Sequence, residues 1–348
     1  MLVVAQNRLM YDYVALLWEL VRDVAHVDGF ATAPAELRQS CRALGLRVLS
    51  DVRARVAAFD YILLADHAPA RFDPYARRII VPHGPVRSRP VRGWSYYYDE
   101  RRIFWADGRP VYDLMVDIGD EAVAEALARI PSYRGRIVAA GDLRTARLVT
   151  NAQRAPAECH PVVAIMSTWG PFGLLEQHAT WLLPALADLA QQGRIEVVLS
   201  AHPNIWAGRR ATRNWTDVLH SFGAADRVRV LSPEDDWTVH FARCNIAITD
   251  HTSLSASFAA TGRPLLPVHV VPEQIGEGTF FEALIRTVPP LTQEQALIER
   301  LFALRESGMP HSWTETCRRF VPDQSAAERR LREAIGRLFR GENPVAAA

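Results

Sequence analysis

One stretch, from Cys244 to Val268, constrains the fold of this chain more than any other. It begins with an apolar run, Asn245 to Ile248, that has the length of a buried strand. A polar turn follows, and its side-chain oxygens favour the start of a helix. Gly262 and Pro264 then stop that helix, and Leu265 begins a second apolar run. The pattern predicts a strand, helix and strand unit of a parallel α/β sheet.

The polar turn in this stretch contains Asp250, Thr252 and Ser253, and it supports two interpretations. The first turn of a helix has free N–H groups and a positive end, which suit an anion such as phosphate. The hydroxyl groups of Thr252 and Ser253 would add further donors. The same residues could instead serve only to cap a helix of an α/β unit. The pattern alone leaves both interpretations open.

The length of 348 residues suggests two domains rather than one. An apolar content of 49% and a charged content of 23% are typical of an ordinary globular protein. The formal net charge of +1 gives no general attraction to nucleic acid. All 40 basic residues are arginine, which excludes a lysine-containing phosphate loop and a Schiff-base lysine. Any phosphate site must therefore use arginine, backbone N–H groups or hydroxyls.

The sequence predicts a cytoplasmic protein without a tightly bound structural metal. Arg8 and Asp12 interrupt the first apolar run, so no secretory signal is expected there. We find no uninterrupted apolar stretch of about 18 residues. The 4 cysteines and 11 histidines lack the spacing of a zinc site. Mg²⁺ is the one cofactor considered: Glu234 to Asp236 could hold it, or could form the acidic first turn of the next helix.

Strand and helix patterns alternate over residues 1–152 and again over residues 160–325, which predicts two Rossmann-like domains. The polar stretch from Asn151 to Pro161 is interpreted as the linker between them. Residues 326–348 form a basic amphipathic helix and tail, which either packs along a domain edge or contacts an anionic membrane surface. Arginines and aromatic residues interleave between Arg87 and Arg109, where they could form a surface loop that contacts an acceptor or could simply pack. No basic domain surrounds them, so we expect no nucleic-acid binding.

Two histidines follow predicted strands, one in each half of the chain. Ligands of open α/β sheets bind outside the carboxyl ends of the strands, so residues at these positions are candidates for the site. His83 lies in a Pro-His-Gly turn, where it could act as a general base or simply be a surface histidine. His202 lies in an Ala-His-Pro turn, where it could be functional or satisfied by the backbone. Ser167 and Thr168 follow a third such strand.

Several motifs, in order, carry a resemblance to a known family. They are Val81-Pro82-His83-Gly84, Val138 to Arg144, Ala164 to Trp169, Leu199 to Pro203, and Thr249 to Pro264. These segments resemble, in turn, the His-Gly, Gly-x-Pro-Arg-x-Asp, Ala-Pro-Thr-Trp, His-Pro and Thr-Asp-Tyr-Ser-Ser motifs of the CDP-glycerol glycerophosphotransferase family. That family includes the teichoic-acid primases and polymerases. The resemblance covers about residues 78–268.

The resemblance implies a GT-B-like fold, in which two Rossmann-like domains face a central cleft. Residues 1–152 would form the acceptor side and residues 160–325 the nucleotide-donor side. The implied reaction moves a glycerol-phosphate-like group, a polyol phosphate, from a CDP-activated donor to an acceptor hydroxyl and releases CMP. The acceptor would be lipid-linked or a glycan, as in cell wall or capsule biosynthesis. The expected location is the cytoplasm, at the inner face of the membrane if residues 326–348 contact it.

The resemblance also carries roles over to individual residues. His83 takes the position of the general base, and His202 that of a residue that binds the donor phosphates. The implied donor contacts are Ser167, Thr168, Asp250, His251, Thr252 and Ser253. The implied contacts with acceptor or phosphate are Arg87 and Arg144.

This chain departs from the family pattern at the stretch that begins with Asp250. His251 replaces the family tyrosine, Thr252 replaces the first serine, and Ala256-Ser257 stand where Phe-Asp is usual. These changes bear on the identity of the donor more than on the fold. One alternative is a GT-B glycosyltransferase or nucleotide-sugar epimerase that uses a nucleoside-diphosphate sugar, and another is a non-catalytic nucleotide-binding relative. A glycosyltransferase releases a nucleoside diphosphate, whereas the first hypothesis requires CMP.

Overall fold

The computed structural model describes residues 1–25, 27–67, 72–82, 84, 98–156, 158, 160–208, 213–292 and 296–345. These residues form two compact α/β units, each with its own parallel sheet. The first unit takes its described residues from the chain up to Ala146 and from Asp323 onwards. The second unit is Arg147–Pro322. The α/β class predicted from the alternating patterns is therefore confirmed.

The first unit is built on a seven-stranded sheet in which every described neighbouring pair is parallel. Its strands are β1 Leu2–Val4, β2 Phe30–Thr32, β3 Arg47–Leu49, β4 Tyr61–Leu64, β5 Arg77–Ile80, β6 Leu114–Asp117 and β7 Ile137–Ala139. Their order across the sheet is β3-β2-β1-β4-β5-β6-β7. Buried apolar clusters lie on both faces, which is why β1 and β4 are short continuous apolar runs rather than alternating ones.

Helices cover this sheet. They are α1 Arg8–Ala25, α2 Arg38–Ala43, α3 Asp51–Val56, α4 Glu100–Ile103, α5 Asp120–Arg129, α6 Leu143–Arg154 and, from the end of the chain, α15 Ala327–Phe339. Short 3-10 turns occupy Ala35–Leu37 and Pro131–Tyr133. The apolar side of α15 is buried in the core of the first unit through Leu331, Ile335 and Leu338. The helix therefore has a packing partner within the protein, as the first of its two interpretations expected. Among the described helices, none has the length and apolar character needed to cross a bilayer.

A tight contact fastens the segment that leads into α15. The side-chain carbonyl of Gln324 accepts a 2.7 Å hydrogen bond from the backbone N–H of Asp142. Gly141, just before it, has a φ of 96°, and a Cβ at this position would lie 2.6 Å from Gln324 Oε1. Both the left-handed backbone and the close approach require glycine. The end of the chain is thus held against the start of α6.

The second unit contains a five-stranded parallel sheet in the order β10-β9-β8-β11-β12. Its strands are β8 Val162–Ser167, β9 Glu196–Ala201, β10 Val228–Leu231, β11 Ile246–Thr249 and β12 Leu265–Pro267. Its helices are α7 Leu174–Gln191, α8 Pro203–Trp206, α9 Trp215–Gly223, α10 Trp237–Phe241, α11 Ser253–Ala259, α12 Phe280–Thr287, α13 Leu297–Ser307 and α14 His311–Phe320, with a 3-10 turn at Pro272–Gln274.

Both sheets reverse their strand order at one point. In the first unit the reversal lies between β1 and β4, and in the second it lies between β8 and β11. In open α/β sheets, ligands bind at such a reversal, outside the carboxyl ends of the two strands. The polar turn after β11 and the Ser167-Thr168 pair after β8 lie at the reversal of the second unit.

The strand, helix and strand unit predicted around Asp250 is present as β11, α11 and β12. Gly262, with a φ of 75°, ends the helix in the left-handed conformation. The next residue, Arg263, donates to the backbone carbonyls of Ala242 (2.7 Å), Cys244 (2.5 Å) and Ala152 (3.2 Å). Burial lowers the pKa of Arg263, the Cys244 thiol acting in the opposite direction. This arginine ties the sheet to the end of α6.

The predicted linker is shorter than the polar pattern suggested, because α6 continues to Arg154. The polar composition of this segment concealed its helical character. Leu148 on α6 is buried in the core of the second unit, and the Arg263 guanidinium satisfies the Ala152 carbonyl in the last turn. The change from the first unit to the second falls within α6, after Ala146. The predicted domain limits remain a prediction, since compact units need not be independently folding domains.

A buried histidine in the second unit gives a first testable prediction. The His178 ring is 8% exposed and lies 2.7 Å through Nε2 from the His269 carbonyl, and burial lowers its pKa from 6.5. The unfolded chain therefore takes up this proton at a higher pH than the folded protein does. His178 contributes stability that is present above about pH 6.5 and is lost as the pH falls towards its lowered pKa in the fold.

We expect the stability of the wild type to fall more steeply with acid than that of His178→Gln, in which an amide keeps the donor but does not titrate. The difference in slope is at most about 1.4 kcal/mol per pH unit for one proton. Denaturant unfolding between about pH 7 and pH 5 measures it. Parallel curves for the two proteins would contradict the assignment.

Candidate functional site

The site begins at the strand reversal of the second unit, where β8 and β11 lie side by side. Their pairing matches Met166 with Thr249, so both strands end at the same level of the sheet. The next residues are Ser167 and Thr168 on one strand and Asp250 on the other. Parallel pairing thus brings together motifs about 80 residues apart in the sequence, at the edge where ligands are expected.

Asp250 connects the loops at this edge of the sheet. Its buried carboxylate accepts hydrogen bonds from the backbone N–H groups of Thr168 (2.9 and 3.1 Å), Leu174 (2.6 Å) and Thr252 (3.0 Å). These three donors come from the loop after β8, the start of α7 and the turn after β11. The carboxylate therefore links the loop after β8 to the turn after β11 and holds both in place. Its direct contact with a donor, implied by the resemblance, remains a prediction.

The Ser167 hydroxyl also connects the loop after β8 to the start of α7. It donates to the Thr168 carbonyl at 2.9 Å and accepts from the backbone N–H of Leu175 at 3.2 Å. Together with the Asp250 contact, this bond satisfies the N–H groups of Leu174 and Leu175, the first two residues of α7. Two of the N–H groups that a helix N-terminus can offer an anion are thus already engaged within the protein. These two N–H groups at the N-terminus of α7 are therefore not available to bind a phosphate.

The turn after β11 retains more capacity for a ligand. Thr252 caps α11 by accepting from the backbone N–H of Leu254 at 3.4 Å, and its carbonyl accepts from the Ser255 hydroxyl at 2.5 Å. Accepting the first bond uses a lone pair of Thr252 Oγ1, so the hydroxyl hydrogen can still be donated. Ser253, the first residue of α11, is half-buried. The helix-cap and phosphate interpretations are therefore compatible with each other.

His251 lies within the same turn and packs against an aromatic ring. It is 6% exposed, and its ring centroid lies 6.1 Å from that of Phe281, at an interplanar angle of 68°. This edge-to-face arrangement is a common one for aromatic pairs. The imidazole thus fills an aromatic packing position, where the resembled family has tyrosine. Its contact with a donor remains a prediction.

His202 follows β9, which neighbours β8 in the sheet. Its backbone N–H donates to the Ser167 carbonyl at 3.1 Å, and its ring lies 6.0 Å from the Trp169 ring. Its Nδ1 accepts from the backbone N–H of Asn204 at 3.1 Å. A backbone amide can only donate, so this bond assigns the proton of the neutral ring to Nε2. His202 therefore presents an N–H donor, which suits an anionic ligand better than removal of a proton.

The remaining predicted residues belong to the first half of the chain. His83 and Arg87 lie outside the described residues. Arg144 is 5% exposed, lies 3.0 Å from the Asp12 carboxylate and stacks over the Tyr13 ring at 5.7 Å. Its charge is largely compensated there, so the structure gives it a packing function. A contact with acceptor or phosphate remains a prediction.

Two polar pairs at the strand ends of the first sheet were not predicted from the sequence. His67 follows β4, and its Nδ1 lies 2.8 Å from the Tyr112 hydroxyl. Asp117 ends β6 and accepts from Tyr98 and from the backbone N–H of Ile118. The signal was available, because His67 follows a buried strand just as His83 does. It was missed because no turn motif marks it.

The acidic run considered for Mg²⁺ is engaged within the protein. Asp235 accepts from the backbone N–H and the hydroxyl of Ser232 at 2.8 and 2.9 Å. Asp236 caps α10, accepting from the N–H of Thr238 at 3.0 Å and from its hydroxyl at 2.7 Å. These contacts fit the interpretation as the start of a helix. Within the described ranges, no group of three or more His, Cys, Asp or Glu residues is arranged to hold a metal ion.

Comparisons with known proteins give the fold. No protein-family model and no curated protein sequence matches the chain. Among solved structures, it is similar to the wall teichoic acid polymerase TagF, with a TM-score of 0.63 and 13% identity over 98% of this chain and 89% of that one. It is also similar to MnaA from S. aureus, solved with UDP, with a TM-score of 0.58 and 13% identity over 100% and 99% of the two chains.

A UDP-N-acetylglucosamine 2-epimerase has a TM-score of 0.57 and 14% identity, over 100% of this chain and 98% of that one. Each likeness spans nearly the whole of both chains, while the identities are low. Such likenesses show a shared fold rather than a shared activity. The protein has the GT-B fold, with one parallel α/β sheet in each of its two units.

Proposed function

We propose that the protein is a transferase that moves a polyol-phosphate group, such as glycerol phosphate, from a CDP-activated donor to an acceptor hydroxyl and releases CMP. The observation that carries the proposal is the strand reversal of the second unit. There, Asp250 fixes two loops that hold the hydroxyls of Thr252 and Ser253, and His202 presents an N–H donor from the next strand. Neutral donors held in place by the fold suit a diphosphate.

The proposed reaction is a single phosphoryl transfer step. The acceptor oxygen forms a bond to the β-phosphorus of the donor, and the bond from that phosphorus to the oxygen of CMP breaks. The hydroxyl proton passes to His83, the base that the family resemblance implies. His202 and the two hydroxyls would stabilise the charge that develops on the phosphate oxygens. Phosphoryl transfer depends mainly on such positioning and charge stabilisation, and no step here requires a lysine.

The comparisons agree with a nucleotide-linked ligand without naming it. One similar TagF structure was determined with CDPG, and the similar MnaA structure contains UDP. The epimerase-like neighbours favour a second candidate, an enzyme that uses a UDP-sugar. The nucleotide distinguishes the two: transfer of a polyol phosphate from a CDP-alcohol yields CMP, whereas a glycosyltransferase yields a nucleoside diphosphate and an epimerase leaves the nucleotide attached. A thermal-shift screen of CDP-alcohols and UDP-sugars is the first test.

The hydroxyls after β11 give a specific prediction. Replacing Thr252 and Ser253 together by alanine should weaken CDP or CMP binding by about 10²-fold or more. Each lost hydrogen bond to a charged phosphate contributes roughly 1.5–3 kcal/mol. The loss of the helix cap should also lower stability by about 1 kcal/mol, so affinity is measured by calorimetry well below the unfolding temperature.

Thr261→Ala is the matched control, because the Thr261 hydroxyl donates to the Phe258 carbonyl at the opposite end of α11. This variant should lose a comparable amount of stability and keep its nucleotide affinity. An unchanged affinity in the double variant would remove the two hydroxyls from the site.

A further inference from the structure

A tryptophan lies beside His202 at the strand reversal of the second unit, and the proposed chemistry makes no use of it. Trp169 follows the end of β8 by two residues and is half-buried. Its ring centroid lies 6.0 Å from that of the His202 imidazole, at an interplanar angle of 34°. Aromatic rings in contact have centroids about 4.5–7 Å apart, either offset-stacked or edge-to-face. At this angle the indole is closer to a stacked than to an edge-on arrangement.

The loop that carries Trp169 is held at several points. The N–H of Thr168, the preceding residue, donates to the Asp250 carboxylate. The chain then turns at Gly170, which has a φ of 94°, and the N–H of Gly173 donates to the Gly170 carbonyl at 3.0 Å. A Cβ on Gly173 would lie 2.5 Å from the Thr168 carbonyl oxygen, so the two ends of the loop are in close contact. The backbone therefore fixes the point from which the indole projects.

The imidazole is held from the neighbouring strand. β8 and β9 pair in parallel up to Ser167 and Ala201, and His202 is the next residue. Its N–H donates to the Ser167 carbonyl at 3.1 Å, and its Nδ1 accepts from the Asn204 N–H at 3.1 Å. The bond at Nδ1 decides which ring nitrogen carries the proton. A contact on the ring face, such as that of the indole, constrains the plane in which the ring lies.

The plane of the imidazole matters because it sets the direction of the Nε2–H bond. That bond lies in the ring plane, so a tilt of the ring turns the hydrogen away from a ligand oxygen. Hydrogen bonds weaken steeply when the donor angle falls below about 120°. A donor that is already aimed at the position of the charge needs no reorganisation when the ligand arrives. The indole, a flat and rigid group, limits such a tilt on the side that it covers.

We propose that Trp169 is a positioning residue, whose indole holds the plane of the His202 imidazole so that Nε2–H points at a phosphate oxygen of the nucleotide. The inference rests on the proposed function, in which His202 binds the donor phosphates. The ligand chemistry concerned is the diphosphate of a nucleoside diphosphate or of its ester. Trp169 thus acts through His202, without contacting the ligand itself.

A double-mutant cycle on nucleotide binding, measured by calorimetry with CDP and with UDP, tests this role. Trp169→Leu should weaken binding by roughly three- to tenfold, and Trp169→Phe, which keeps a flat ring, should recover most of the affinity. His202→Asn removes the imidazole, while asparagine can still accept from the Asn204 N–H at the helix cap. In that background Trp169→Leu should change the affinity by less than about twofold, because an effect exerted through the imidazole disappears with it.

An equal loss in both backgrounds would overturn the proposal, since it would show that the indole stacks on the base or only supports the fold. Trp181→Leu is the matched control. The Trp181 ring also pairs with a histidine, His178, at 5.8 Å and 74° in the middle of α7. This variant should keep the wild-type nucleotide affinity. A loss as large as that of Trp169→Leu would show a general effect on the unit and would equally contradict the assigned role.

A wild type that binds neither CDP nor UDP would instead count against the proposed function. In that case the contact is tested by NMR of the imidazole ring protons. Because an indole beside the ring shifts their resonances, Trp169→Leu should move the His202 signals, and Trp181→Leu should not. Identical His202 signals in Trp169→Leu and the wild type would show that the indole does not hold the imidazole.

Discussion

Asp250→Ala is expected to destabilise the second unit by about 3–5 kcal/mol, the largest effect of any single substitution considered for this chain. The substitution leaves the N–H groups of Thr168, Leu174 and Thr252 without their acceptor in a buried site. Each unsatisfied donor costs about 1–3 kcal/mol, reduced where water enters. The midpoint of thermal unfolding should fall by roughly 6–20 °C, given about 2–4 °C per kcal/mol for a unit of this size.

Two further variants test whether the effect depends on the charge of Asp250 and on its position in the fold. Asp250→Asn keeps one acceptor oxygen but turns an amide donor towards one of the three N–H groups, so about half of the loss is expected. Asp226→Ala removes an exposed aspartate that accepts a hydrogen bond from the neighbouring Arg227 N–H, and should cost less than about 0.5 kcal/mol. Equal stability of Asp250→Ala and Asp226→Ala would show that the carboxylate does not hold the two loops.

His83→Ala is expected to have the largest effect on activity. Loss of a general base lowers turnover by about 10²-fold or more, while the affinity for CMP or CDP should stay near wild type. Nucleotide affinity should not change because the proposed nucleotide contacts all lie in the second unit, at the residues after β8, β9 and β11. Steady-state kinetics with a CDP-alcohol and calorimetry with CMP measure the two quantities independently.

The control for this experiment is His311→Ala, which removes an exposed histidine at the start of α14. Its turnover and nucleotide affinity should both match the wild type. If His83→Ala also retains full turnover, His83 has no part in the chemistry. A wild type without turnover, together with a cellular role that His83→Ala preserves, would instead favour the non-catalytic alternative.

Local sequence signals were sufficient to predict the repeating elements of the fold. The stretch from Cys244 to Val268 became β11, α11 and β12, because an apolar run, a capping threonine and a glycine stop each act over a few residues. The parallel sheets followed from the alternation of such units. The strand ends that carry Ser167 and Asp250 could also be predicted, since parallel pairing puts motifs after successive strands on one edge.

Contacts between distant segments could not be predicted from the same signals. The hydrogen bond from Leu174 to Asp250 spans 76 positions, and the bond from Asp142 to Gln324 spans 182. Nothing local in the sequence distinguishes a carboxylate that binds a ligand from one that fastens two loops. The extension of α6 to Arg154 was hidden for the same reason, because its support comes from the Arg263 guanidinium.

The most direct test of the proposed function is the identity of the released nucleotide. The protein is incubated with CDP-glycerol, CDP-ribitol or a UDP-sugar, each with and without a polyol or glycan acceptor, and the products are separated by ion-exchange chromatography. We predict acceptor-dependent release of CMP from a CDP-alcohol, and loss of that release in His83→Ala. Release of CDP or UDP, or epimerisation of a UDP-sugar without any CMP, would contradict the proposed transfer.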